Sequence, residues 1–269
     1  GLPELRDRVA MLNRILIIDP QQVEALRVLS QQLYAIVLRE AIPFHKLTVK
    51  DPALDSVVNE HFWNIYSQSV RVDLSLGMEM GGFDKPTTAD YLYRMLSAMQ
   101  TLAAVRPEQL DNRVRLGVAL RWNNDQEPSI TTHQSLVEAI PSERRDGRAE
   151  ALLQLAWSRI NKVAWNRILD DSDIRAAYRD ADEALVLAGQ PLDKFLAEYT
   201  KAYSLLFTPN RDNRALLERL SEAKRWFVEI PGQTPDIWNF FIGAESLKAV
   251  LDADPIFQPV LAQAEDKKG

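Results

Sequence analysis

Leu5, Val9, Leu12 and Leu16 recur at spacings of four and three, and Val23, Leu26, Leu29, Leu33 and Val37 do the same after Asp19-Pro20. Apolar positions at that period line one face of a helix, so the stretch predicts two amphipathic helices joined by a tight turn. Asp19 is expected to cap the second helix and Pro20 to take its first position, where a missing amide hydrogen costs nothing. Gln22 stands at the reciprocal capping-box position. Burying the two stripes is worth about 1.5 to 3 kcal/mol per large apolar side chain before ordering entropy is charged.

The same pattern continues. Asp51-Pro52 predicts a helix start ahead of Leu54, Val57, Val58, Phe62, Ile65 and Tyr66, and the run from Val57 to Met80 is apolar on more than one side. Gly77 and Gly81-Gly82 loosen the backbone, and Thr87 or Thr88 is expected to cap a helix through Tyr91, Met95, Met99 and Leu102. After Arg106-Pro107, helices are expected at Leu110 to Leu120, Thr132 to Ile140 and Arg148 to Leu169, then from the Asp170 to Asp173 break to Leu187. Gly189-Gln190-Pro191 stops that helix. Further helices follow at Leu192 to Phe207, through Leu216 to Trp226, across Ile237 to Phe241 and from Leu247 to Leu251. No run alternates with a period of two, so the fold class expected is all-α: an irregular tetratricopeptide-like helical repeat or bundle of antiparallel helix pairs. The expected domain is single, 1–269, with a subdivision at the polar turn near 123–130 and a frayed charged tail at 265–269.

Composition narrows the chemistry. The 269 residues are 46% hydrophobic, enough for a substantial core, and carry a formal net charge of −6, which disfavours bulk nucleic-acid binding. With no cysteine there are no disulfides, thiol nucleophiles or thiolate metal sites. That leaves cytoplasm and periplasm both open. No uninterrupted apolar run is long enough to span a bilayer, and the opening Gly-Leu-Pro suits either an expression-vector remnant or a cut made after removal of an export signal or lipid anchor.

The Asp19-Pro20 junction resembles the passage from the second helix of one tetratricopeptide repeat to the first helix of the next, and Asp254-Pro255 repeats that junction. No regular 34-residue signature recurs, so the resemblance is to a degenerate helical repeat. Gly77 to Pro86 with its following helix, and Asn210-Arg211-Asp212 before Leu216 to Leu220, are similar to periplasmic T components of substrate transporters and to related bacterial lipid-trafficking proteins. That likeness implies either a lipoprotein, membrane-anchored in its precursor, or a soluble periplasmic accessory, which binds a ligand or a transporter or other periplasmic partner.

The residues that would carry such a function are aromatic and methionine-rich. His61, Phe62, Trp63, Tyr66, Met78, Met80, Phe83, Tyr91, Met95 and Met99 suit the wall of an apolar cavity, with methionines adapting to an irregular ligand and Tyr66, Tyr91 or His61 orienting one hydroxyl. The same spacing equally suits a filled core. Trp226, Phe227, Trp238, Phe240 and Phe241 form an interaction surface if exposed and a packed end if buried. The three histidines, His45, His61 and His133, lack metal-ligand spacing, while Asp170, Asp171 and Asp173 are either helix-capping groups or a magnesium site. Gly77, Gly81 and Gly82 do not make a phosphate loop, and Arg144, Arg145 and Arg148 read as a solvated turn.

The expectation is a noncatalytic protein that encloses a lipid-like or sterol-like molecule between helices, with no cofactor and no nucleic acid. Two alternatives stand beside it: a helical-repeat scaffold for protein interaction, and a magnesium-dependent enzyme acting on an isoprenoid or phosphorylated substrate.

Overall fold

The computed structural model describes the backbone of residues 2–41, 49–69, 85–166 and 171–261. Among these residues there are thirteen α-helices, one 3₁₀ turn and no β-strand. They run α1 Leu2–Ile18, α2 Val23–Ala41, α3 Pro52–Ser69, α4 Lys85–Val105, α5 Leu110–Trp122, α6 Gln126–Ala139, α7 Arg145–Asn166 and α8 Asp171–Leu187. After these come α9 Pro191–Leu206, α10 Asn213–Phe227, α11 Pro235–Ile242, α12 Glu245–Ala253 and α13 Gln258–Leu261, with the 3₁₀ turn at Pro255–Phe257. The fold is an irregular all-α arrangement in which consecutive helices pack in pairs, consistent with a tetratricopeptide-like repeat.

Three starts share one device, an aspartate cap. Asp51 Oδ1 accepts the Ala53 and Leu54 amides at 3.0 and 2.9 Å, with Pro52 at the first helical position. Asp212 caps α10 by accepting the Arg214 amide at 2.8 Å, and Asp254 caps the 3₁₀ turn by accepting the Ile256 amide at 3.1 Å. The Asp19-Pro20 junction works differently from the sequence expectation. Asp19 Oδ1 accepts the Gln21 amide at 3.1 Å and its carbonyl accepts the Gln22 amide at 3.2 Å, closing a turn before α2 begins. Gln22 is the cap itself: its side-chain oxygen accepts the Ala25 amide, and its carbonyl accepts the Leu26 amide at 3.0 Å. Two other helices begin earlier than expected. Helix α4 opens at Lys85, ahead of Thr87, and α6 opens at Gln126, ahead of Thr132, because Pro128 falls in the first turn where it breaks no backbone bond.

The chain divides into two compact units, Gly1–Lys46 with Phe62–Ala139, and Leu47–His61 with Ile140–Gly269. The division passes through α3 after His61 and between α6 and α7. The turn at Asn123 to Asp125 lies within the first unit, where Asn124 takes a φ of 67° that a short amide side chain tolerates.

In the first unit α1 packs on α2, α2 on α4, α4 on α5 and α5 on α6. Val9 and Leu12 from α1, Leu26, Leu29, Leu33 and Ile36 from α2, and Leu92, Met95, Leu96, Met99 and Leu102 from α4 make a continuous core with Val118, Leu120 and Trp122 of α5. Trp122 stacks on Tyr34 at 5.4 Å between ring centroids, and its indole nitrogen donates to Asn64 Oδ1 at 3.3 Å.

In the second unit α7, α8, α9 and α10 pack in sequence, and α7 also touches α9. Ile174, Ala177, Ala181 and Ala184 place a seam of mostly small side chains along α8 at spacings of three and four, all buried. Small residues let the neighbouring backbones approach. Helix α9, between α8 and α10, is buried on nearly every side, including at Glu198, Thr200, Lys201 and Ser204.

Candidate functional site

His61, near the middle of α3, is the predicted site residue with the richest surroundings. Five rings of the second unit enclose it: Phe241 at 4.7 Å between centroids, Tyr199 at 5.1 Å, Phe240 at 5.7 Å, Trp157 at 5.9 Å and Tyr203 at 6.5 Å. Phe195, Phe227 and Trp238 extend the cluster, with Phe195 to Phe241 at 4.9 Å and Phe227 to Trp238 at 5.5 Å. Most of these pairs meet tilted or edge to face, the arrangement that ring quadrupoles favour.

Both tyrosine hydroxyls and the Trp238 indole of this cluster have partners. Tyr199 donates its hydroxyl hydrogen to the Phe241 carbonyl at 2.9 Å, which leaves its oxygen to accept from His61 Nε2 at 3.2 Å. That assignment places a hydrogen on His61 Nε2. Burial holds its pKa down to about 3 and raises the Tyr199 hydroxyl well above its ordinary value. Tyr203 shares a hydrogen bond with Ser246 at 3.0 Å and is likewise raised by burial. The Trp238 indole donates to the Val260 carbonyl at 3.0 Å.

The other predicted wall residues sit elsewhere. Met95 and Met99 belong to the core of the first unit, 0% and 1% exposed among Leu33, Ile36 and Leu96. Met78, Met80 and Phe83 lie outside the described residues, as do Gly77, Gly81, Gly82 and His45, and so do the side chains of Phe62, Trp63, Tyr66 and Tyr91.

Three of the five residues expected to form an interaction surface are core instead. Phe227, Trp238 and Phe241 are 0% exposed, because α11 folds its aromatic face onto α9 and α10. Trp226 remains half-buried, with Lys194 Nζ 4.3 Å from its ring centroid and the Arg225 guanidinium at 4.2 Å, while Phe240 is partly exposed beside His61. Surface apolar groups occur on α1, where Met11, Ile15 and Ile18 are 57%, 38% and 87% exposed. At 100° per residue they form a stripe roughly 130° around α1 from the Val9 and Leu12 face that meets α2. Glu4, Asp7, Arg8 and Arg14, all exposed, flank it.

Asp173 is buried on α8 and faces two cations, Arg159 at 3.3 Å and Lys162 at 2.7 Å. Arg159 also holds Asp180 at 3.0 Å, so these carboxylates staple α8 to α7. Burial raises Asp180 above the usual carboxylate range against the opposing pull of Arg159. Asp170 and the Asp171 side chain lie outside the described residues. Among the described residues no three His, Asp or Glu side chains form a metal-binding group. Of the basic run, Arg148 pairs with Glu183 at 3.0 Å and Arg145 donates to the Val186 carbonyl at 2.9 Å, closing the end of α8.

Sequence reasoning missed the ionic chain on α9. Glu198 accepts from Arg219 of α10 at 3.0 Å and lies 3.7 Å from Lys201, which pairs with Asp182 of α8 at 2.7 Å. The signal available was a helix with apolar residues on every side and an i, i+3 acid-base pair inside it. His133, which the sequence marks only as lacking metal-ligand spacing, is 0% exposed on α6 with its Nε2 3.4 Å from the Val114 carbonyl. Burial first, and the Arg121 charge second, lower His133 to about 3. No helix among the described residues is long and apolar enough to cross a membrane. No protein-family model matches the chain and no curated protein matches its sequence, so the all-α helix-pair architecture stands on the structure itself.

Proposed function

We propose that this chain is a noncatalytic helical-repeat module that recognises another protein through the outer face of α1. The observation that carries the reading is the Met11, Ile15 and Ile18 stripe, apolar and at helical spacing, with no covering helix among the described residues. A stripe of this kind accepts the apolar face of a partner helix at i, i+3, i+4 and i+7, and the flanking Glu4, Asp7, Arg8 and Arg14 set its register through charge. The partner adds one more helix to the α1, α2, α4 and α5 pile.

A trafficking role with an enclosed lipid-like ligand rests on the resemblance to periplasmic T components and lipid-trafficking proteins. The described wall residues weigh against it, since His61, Met95 and Met99 are packed rather than hollow. Photo-cross-linking from a reactive group placed at Arg14, beside the stripe, tests the interaction reading in cells. A discrete protein adduct that disappears when Met11, Ile15 and Ile18 are changed to serine is the expected result. An adduct unchanged by those substitutions, or none at all, overturns the reading.

A further inference from the structure

In the first unit α2 and α5 both pack against α4, and their side chains also meet each other. Of the two ways the Gln31 amide can lie, one satisfies its neighbours: its oxygen accepts from Arg27 Nη1 at 3.3 Å and from Arg115 Nη1 at 3.2 Å. Further along, Tyr34 stacks on Trp122. Both contacts advance toward the C-terminal ends of their helices, so α2 and α5 run in the same direction. Arg27, Gln31 and Tyr34 make one line at spacings of four and three, all half-buried, and Arg115 is half-buried opposite them.

Two guanidiniums therefore converge on one neutral oxygen. Arg27 turns its Nε and Nη2 edge onto Glu24 of its own helix, which leaves Nη1 for Gln31. Arg115 has no carboxylate partner among the described residues. Two cations and one anion leave the group with a net positive charge of one, in a chain whose formal net charge is −6. A guanidinium pairs with a carboxylate through parallel bonds between opposite full charges, and an amide oxygen supplies neither. The Gln31 oxygen is thus a weak occupant of a position that a carboxylate fills better. Turned over, the same amide presents its NH2 to that carboxylate as a further donor.

We propose that Arg27, Gln31 and Arg115 form a carboxylate-binding site for an acidic peptide, with the Gln31 oxygen holding the place that the peptide's carboxylate takes. The single net positive charge matches one carboxylate, whereas a phosphate dianion meets Glu24 at the edge of Arg27 as a like charge. Seven residues separate Arg27 from Tyr34 and Arg115 from Trp122, a rise of about 10 Å on either helix. An extended chain covers that in about three residues at roughly 3.3 Å each. The peptide recognised therefore carries an apolar side chain three positions from its acidic one, laid against Tyr34. The site uses neither α1 nor its exposed stripe and stands independently of the recognition proposed there.

Backbone amide resonances of α2 and α5 in the full chain at pH 7.5 test this. The probes are acetyl-Glu-Ala-Ala-Leu-amide, acetyl-Leu-Ala-Ala-Glu-amide, the glutamine counterpart of each, and inorganic phosphate. Saturable shifts centred on Gln31, Tyr34 and Arg115 are expected with a glutamate peptide, and affinity about tenfold lower or less is expected for the glutamine peptides and for phosphate. The two variants at Gln31 act in opposite ways. Gln31→Glu supplies the carboxylate from the chain itself and is expected to cut peptide affinity about tenfold, whereas Gln31→Ala is expected to leave it within about threefold. Should Gln31→Glu fail to fold, the contrast between glutamate and glutamine peptides on the wild-type protein decides. No saturable shift with either glutamate peptide, equal binding of the glutamine peptides, tighter binding of phosphate, or unchanged peptide affinity in Gln31→Glu overturns the proposal.

Discussion

The two units each bury a histidine, and they do so by opposite means. In the first unit His133 lies directly on the backbone of α5 at Gly117, where a Cβ would fall 2.5 Å from Cε1 and 2.8 Å from Cδ2 of the ring. The missing side chain makes the space, and the imidazole fills it beside the Val114 carbonyl. In the second unit His61 is enclosed by five rings and a tyrosine hydroxyl. Both imidazoles are driven to about 3 by burial, yet one is fixed by a close helix approach and the other by side chains from three helices. The cores around them differ in the same sense: leucine and methionine in the first unit, tilted and edge-to-face rings with paired charges in the second. A buried histidine therefore marks a packing solution here, and which solution depends on the volume its neighbours leave.

The sharpest way to break the second unit is through its charges. Replacing Glu198 by alanine leaves Lys201 and Arg219 without their shared buried anion, and the expected loss is about 3 kcal/mol in urea unfolding followed at the second-unit tryptophans Trp157 and Trp238. A loss below about 0.5 kcal/mol would mean that solvent reaches the pair. For the first unit the corresponding change is Gly117→Ala, which drives a methyl into the His133 ring and is expected to cost about 2 kcal/mol even though alanine is the better helix former. Thermal unfolding of that variant checks it, and a stabilised protein would show that the α5 to α6 contact is looser than described. The smallest effect is expected at the rim: Lys194→Gln removes one of the two cations over Trp226 and should change stability by about 0.5 kcal/mol, read from the same urea curves. An effect as large as that of Glu198 would make Trp226 part of the core.

The helical fold was legible because the apolar spacing is regular. Leu26, Leu29 and Leu33 of α2, and Leu216 and Leu220 of α10, all face inward as their spacing required. The aspartate starts at Asp51 and Asp212 were legible for a related reason, since each side chain meets amides two and three residues on and needs nothing distant. At Asp19 the local rule allowed two registers, and the structure takes the later one with Gln22 as the cap. The site was less legible because enclosure is a tertiary property. His61 was singled out, but Tyr199, Tyr203, Trp157 and Phe241 reach it from positions roughly 100 to 180 residues away in the chain, and no spacing rule connects them. Phe227, Trp238 and Phe241 likewise read as surface or core alike until α11 is seen folded onto α9 and α10. The exposed stripe on α1 was hidden for the opposite reason: in an apolar-rich helix the inward face drew the eye, and the second face differs from it only by what does not cover it.

Native mass spectrometry of the protein as purified from its cells, followed by solvent extraction of lipids, tests most directly whether these helices are packed and present their surface for recognition. The account predicts the bare chain mass with no stoichiometric apolar ligand, before and after incubation with cell lipids. A one-to-one lipid-like or sterol-like ligand, lost on changing His61 or Met95 in a chain that still folds, would contradict it and restore the enclosing cavity.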